Sequence, residues 1–168
     1  MNNVRKITIL SVLIALNIIL GKLSFGPEFA KVNLGFIALI ISGFLYGSRA
    51  TLVVAGLANV LTFTLLGNGT FSFWFLIPAL LAGATYGLLD KPTWIRIILV
   101  NVVVMVGISF ILNTWLIAAI YHLDYSALLS VRIIKMIVSL LFQIILSFIL
   151  LRNRVFQQFK DKLTMNVW

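Results

Sequence analysis

The sequence predicts an all-α membrane protein, a six-transmembrane-helix bundle with N- and C-termini cytoplasmic. Composition, punctuation and charge placement carry that reading. Of 168 residues, 62% are hydrophobic and 10% charged, with a mean hydropathy of +1.14. Soluble domains hold about 45–50% apolar and about 25% charged residues, so this chain lacks the polar side chains to coat a globule in water. Its wealth of apolar side chains equally excludes disorder. Six spans of about 20 residues consume about 120, leaving loops and tails. Residues 1–168 are therefore expected to form a single integral membrane domain.

The apolar blocks are separated by short clusters of Gly, Pro, Asn and charge, which mark turns. They place spans at 7–25, 34–47, 49–66, 72–89, 95–116 and 129–151. The first follows Arg5 and Lys6 directly. It is longer than the apolar run of a signal peptide and ends without a small-residue cleavage pattern, so it reads as a retained helix. Residues 26–33, from Gly26 to Asn33, form a loop. The second span is short and is barely parted from the third by Gly47 and Ser48, as in a tight hairpin or a broken helix. Residues 67–70 end the third span and residues 90–93 end the fourth. Residues 121–125, which include His122, precede the sixth.

Thirteen Lys and Arg face four Asp and Glu, a formal charge of +9. In a membrane protein such an excess sets orientation, with basic residues gathered at cytoplasmic helix ends. With an even number of spans, Arg5, Lys6, Arg49, Lys91, Arg96, Arg152, Arg154, Lys160 and Lys162 share the side of the termini. Only Lys22, Lys31, Arg132 and Lys135 fall in the outer half, so the termini are assigned inside.

Those four outer cations are the chemically informative ones. A charge at the bilayer centre costs about 2.5–3.5 kcal/mol on insertion scales, although a long side chain near a helix end can snorkel to the headgroups. Arg132 and Lys135 are three residues apart and share a helical face, and Asn113, Thr114 and Trp115 lie at the facing end of the fifth span. Together they suggest an outward-facing anion site.

Catalytic chemistry is poorly provided for. His122 is the one histidine, cysteine is absent, and Glu28, Asp90, Asp124 and Asp161 are scattered over loops and tails. No carboxylate pair has the spacing for a metal or for shared acid–base work, and no phosphate-loop motif is present. A non-enzyme with no metal site and no cofactor is expected, with any ATP hydrolysis left to separate subunits. A nucleic-acid partner is not expected. Small residues four apart let helices approach closely in lipid. Ser11 and Ala15 offer such a patch to a partner helix, whereas Ala79, Gly83 and Gly87 read as packing within the bundle. Trp74, Trp94 and Trp115 suit the membrane interfaces, and Trp115 could also stack on a flat ligand.

The run from Lys31 to Ile37, followed by Ser42-Gly43-Phe44-Leu45-Tyr46-Gly47, resembles the second-helix signature of S components of energy-coupling factor (ECF) vitamin transporters. Leu112-Asn113-Thr114-Trp115-Leu116, then Arg132-Ile133-Ile134-Lys135 and Gln143, resembles the fifth-to-sixth helix signature of the folate group in that family. The resemblance extends from about Ile7 to Leu151.

It implies a high-affinity vitamin-binding subunit of the bacterial cell membrane. Such a subunit docks on a transmembrane coupling subunit (T component) and two ATPase subunits. Ser11 and Ala15 match the docking position on helix one. The loop from Gly26 to Asn33 would close the pocket, with Asn113, Trp115 and Arg132 completing it. Lys22, Lys31, Asn33, Asn68, Asn113, Trp115, His122, Arg132 and Lys135 form the full candidate substrate-binding set. The chain departs from the folate group at Asn33, where Arg is common, and at Asn59, where Asp is common. Folate is the leading cargo. Pantothenate, for which Asn33, Asn68, Asn113 and His122 would suffice, is the alternative. An ion-coupled carrier or a structural membrane subunit are the readings from other classes; a carrier would need an intramembrane carboxylate, and none of the spans holds one.

Overall fold

The computed structural model describes residues 3–25, 32–66, 73–122 and 124–165. Helix α1 (Asn3–Lys22) leads into a two-stranded antiparallel pair, β1 (Ser24–Phe25) and β2 (Val32–Asn33), with Ser24 opposite Asn33. The loop expected at 26–33 thus has a paired base, and its residues 26–31 lie outside the described ones. Next come α2 (Phe36–Leu66), a 3₁₀ turn (Phe73–Phe75), α3 (Leu76–Tyr86) and a second 3₁₀ turn (Gly87–Asp90). Helix α4 (Trp94–Val102), a π-helical segment (Val103–Leu112) and α5 (Asn113–Tyr121) run on without interruption. Helices α6 (Tyr125–Arg152) and α7 (Arg154–Met165) complete the chain.

Among the described residues, five helical runs are long and apolar enough to cross a membrane: Val4–Lys22, Phe36–Leu65, Phe73–Asp90, Trp94–Tyr121 and Leu128–Arg152. Six spans were expected, and the second and third of them fall within α2. Gly47 interrupts it with φ 72° and ψ −171°, a conformation that a side chain would strain. Thr51 Oγ1 donates to Ser42 Oγ at 3.3 Å. In an unbroken helix residues nine apart are separated by about 13.5 Å, so the chain folds back at Gly47. Of the two alternatives for residues 47–48, a tight hairpin or a broken helix, this reversal inside one apolar run corresponds to the hairpin.

Packing around this hairpin depends on missing side chains. A Cβ on Gly43 would collide with the Tyr86 carbonyl, and one on Gly87 with the Ser48 backbone. One on Gly83 would stand 2.6 Å from Ala55 Cβ. The small-residue ridge on α3 therefore packs inside the bundle, where lipid offers no hydrophobic drive and close van der Waals contact holds the helices together. Phe36, Ile40, Phe44, Tyr86, Leu89 and Val104 fill the core. Outward faces stay apolar, as lipid requires: Val12, Ile19, Leu57, Leu65, Ile111 and Ile145 are all exposed.

The start of α1 and helix α7 lie at one end of the bundle. The Lys6 ammonium lies 5.9 Å from the Tyr46 ring centre, beside the Gly47 turn. Lys160 of α7 sits over Phe44 at 4.3 Å and donates to the Asp90 carbonyl. Arg152 lies 4.9 Å from the Trp94 ring centre, and Arg96 pairs with Asp90 at 3.0 Å. This basic, tryptophan-bearing end has the character of a membrane–water interface.

Candidate ligand-binding cavity

At the opposite end the helices splay around a cavity of about 490 Å³, within the range of small-molecule sites. Helix α1 contributes Asn17, Gly21 and Lys22; the β2 end contributes Asn33 and Gly35. Both arms of α2 reach it, through Phe36 and Leu39 before the break and Asn59, Thr62 and Phe63 after it. Phe75, Pro78, Ala79, Ala82 and Tyr86 supply the α3 wall. Phe63 and Phe75 stack with centroids 6.3 Å apart, forming an aromatic side to the chamber.

The far wall is the π-helical segment. Its wider winding, seen in the Asn113 N–H donating to the Ile108 carbonyl five residues back, turns Met105, Ile108, Ser109 and Asn113 toward the cavity. Such insertions are frequent at functional sites. Met105, Ser109 and Asn113 also line a second, mostly polar chamber of about 110 Å³, whose other wall holds Arg132, Lys135 and Met136. Three shared residues join the two chambers. Arg132, half-buried, donates to Thr114 Oγ1 at 3.1 Å, and Thr114 is fully buried.

The mouth is fixed by amides bonded to backbone. Asn17 Nδ2 donates to the Gly35 carbonyl at 2.7 Å, and Asn33 Oδ1 accepts from the Gly35 N–H at 2.6 Å. Deeper in, Tyr86 OH donates to Gln143 Oε1 at 2.9 Å. Beyond Gln143 a buried chain continues, with Ser147 Oγ donating to the Gln143 carbonyl and Asn101 Nδ2 donating to Ser147 Oγ at 3.1 Å.

Of the sequence-predicted site residues, Lys22, Asn33 and Asn113 line the main chamber, and Arg132 and Lys135 line the second with Asn113. Trp115, 57% exposed, lines neither. His122 ends α5 in the left-handed region and is exposed, outside both chambers. Lys31 and Asn68 lie outside the described residues. Ser11 and Ala15 are exposed on the outer face of α1. Sequence reasoning did not assign Asn17, Asn59, Thr62, Tyr86, Ser109 or Gln143 to the site. Gln143 and Asn59 carried a signal through the resemblance, Gln143 within a quoted signature and Asn59 as a departure from the folate group.

An apolar helical bundle with a chamber open at one end, lined by amides and flanked by two cations, is a membrane-embedded solute-binding protein. The chain belongs to the family described as "ECF transporter, substrate-specific component", which it matches over residues 5–153. It is similar to the folate transporter FolT of Leuconostoc mesenteroides, 25% identical over 169 residues, covering 95% of this chain and 91% of that one. It is also similar to a solved structure of FolT bound with folic acid, with a TM-score of 0.77 and 26% identity, covering 86% of this chain and 90% of that one. Members of such a family bind a transported substrate and are not enzymes.

Proposed function

We infer that this chain is the folate-capturing S component of an ECF-type importer. The carrying observation is the junction of the amide-lined chamber with the Arg132–Lys135 chamber through Asn113. Folate has a flat hydrogen-bonding ring at one end and two carboxylates at the other. The main chamber suits the ring and its aryl linker, and the paired cations suit the carboxylates, since Arg matches a carboxylate with two parallel hydrogen bonds. Pantothenate has one carboxylate and no flat ring, and would leave this division unused. The similarity to FolT supports the same cargo.

The same reading gives six crossings of the bacterial cell membrane, counting the two arms of α2 separately, with the termini inside. The nine basic residues at the terminus-bearing end support that orientation. Energy comes from a T component and two ATPase subunits, met through the exposed Ser11–Ala15 face. The test is calorimetric titration of the purified protein with folic acid and with pantothenate. Saturable binding of folic acid is expected, and its absence overturns the assignment.

A further inference from the structure

We propose that Gln143, pinned by Tyr86, reads the polar edge of the cargo ring, and that Asn59 completes this specificity device. The inference rests on the folate assignment and goes further, to the group that selects the ring.

Tyr86 is 2% exposed and Gln143 6% exposed, and among the described residues their mutual hydrogen bond is the one side-chain bond that either makes. The amide could in principle face either way. If it were reversed, its N–H would donate to the Tyr86 oxygen, and the buried tyrosine proton would then have no acceptor among the described residues. A buried donor left unpaired is costly, so Tyr86 must donate and Gln143 must accept. The amide is thereby polarised: Oε1 is committed, and the Nε2 donor is left for whatever occupies the cavity that both residues line. Asn59 lines the same cavity, and its buried Oδ1 has no partner among the described residues. The mouth amides are spent differently, since Asn17 and Asn33 hold the Gly35 backbone.

The Gln143 donor and the Asn59 acceptor, in a cavity with an aromatic wall, complement a lactam edge, which offers an oxo acceptor beside N–H donors. The position along α6 fits as well. Gln143 is eight residues beyond Lys135, about 12 Å down the helix, so ring and carboxylates are read at opposite ends of an elongated ligand. A fixed donor also rejects the ring in which an amino group replaces the oxo group, because donor would then face donor.

The experiment titrates the purified full-length protein with three ligands: folic acid, its analogue with amino in place of the ring oxo group, and the ringless aminobenzoyl-glutamate tail. For the unsubstituted protein, folic acid is expected to bind at least about tenfold tighter than the amino analogue, as loss of one buried hydrogen bond requires. Tyr86→Phe frees the amide to turn its carbonyl toward the ring, and should cut that preference to about threefold or less. The double variant Tyr86→Phe/Gln143→Met leaves no orphaned partner, and should remove the preference while keeping affinity for the tail. Damage to the fold would weaken all three ligands together and preserve the ratio. An unchanged ratio in both variants overturns the proposal and leaves the folate assignment standing. Failure of folic acid to bind the unsubstituted protein overturns both.

Discussion

Arg132 donates to Thr114 Oγ1 across the seam between α6 and α5, at 3.1 Å. The bond fixes one end of the guanidinium on a fully buried hydroxyl and leaves its remaining N–H groups for the small chamber shared with Asn113 and Lys135. A cation held in this way has lost side-chain freedom before the ligand arrives, so less entropy is surrendered on binding.

The first prediction concerns that cation. A hydrogen bond to a charged group contributes about 1.5–3 kcal/mol, and 1.4 kcal/mol is a factor of ten. Arg132→Ala should therefore weaken folic acid binding by roughly 10- to 150-fold. Arg132→Lys should recover part of the loss, because an ammonium cannot make the two-pronged contact. Thr114→Val should cost less than either, since it loosens the guanidinium without removing it. Titration of the purified variants checks the order, and unchanged affinity in Arg132→Ala would remove the anion site.

The second prediction concerns packing. A Cβ at Gly87 meets Ser48 backbone, whereas one at Gly107 has no neighbour within 4 Å. Overpacking costs about 1–3 kcal/mol, and helical Gly→Ala in open space gains up to about 1 kcal/mol. Gly87→Ala should lower the melting temperature in detergent, and Gly107→Ala should hold or raise it. Equal effects would contradict the close contact between the 3₁₀ turn that follows α3 and the second arm of α2.

Burial and helix placement were legible where physics acts locally. Apolar runs had to be helices because lipid satisfies no backbone groups, and Gly47-Ser48 marked the reversal through glycine's conformational range. The cation pair was legible because charge in lipid is expensive enough to need a reason. The π-helical segment was not, since Val103 to Leu112 is almost uniformly apolar and its register is set by neighbours. For the same cause Ser109 went unassigned. Tyr86 and Gln143 meet across 57 residues, and such a pairing leaves no trace in periodicity or composition. Trp115 illustrates the reverse: the resemblance assigned it to the pocket beside Asn113, but residues two apart point to opposite sides of a helix, and Trp115 lines neither chamber.

The third prediction tests orientation. The chain contains no cysteine, so single reporters can be introduced without background. Asn2→Cys and Lys162→Cys should resist an impermeant thiol reagent in intact cells and react after permeabilisation. Lys6 and Lys160, described residues close in sequence to these two sites, meet Tyr46 and Asp90 at one end of the bundle. Labelling of either from outside would reverse the proposed topology.

The last prediction separates capture from transport. Ser11 and Ala15 are four residues apart on α1 and exposed, with the Ser11 hydroxyl turned back onto the Ile7 carbonyl at 3.0 Å. That internal bond leaves the patch shallow and without a polar demand, so another helix can approach closely there. Cavity residues on α1 lie elsewhere, at Asn17, Gly21 and Lys22. A bulky residue at 15 should thus block a partner helix and leave the chamber untouched. Ala15→Trp is expected to bind folic acid with affinity within about twofold of the parent, a change of under 0.5 kcal/mol. It should also lose both uptake in cells and co-purification with a coupling subunit. Loss of binding and uptake together would instead mean that α1 had been displaced from the bundle. Retention of uptake would show that the small-residue face carries no partner.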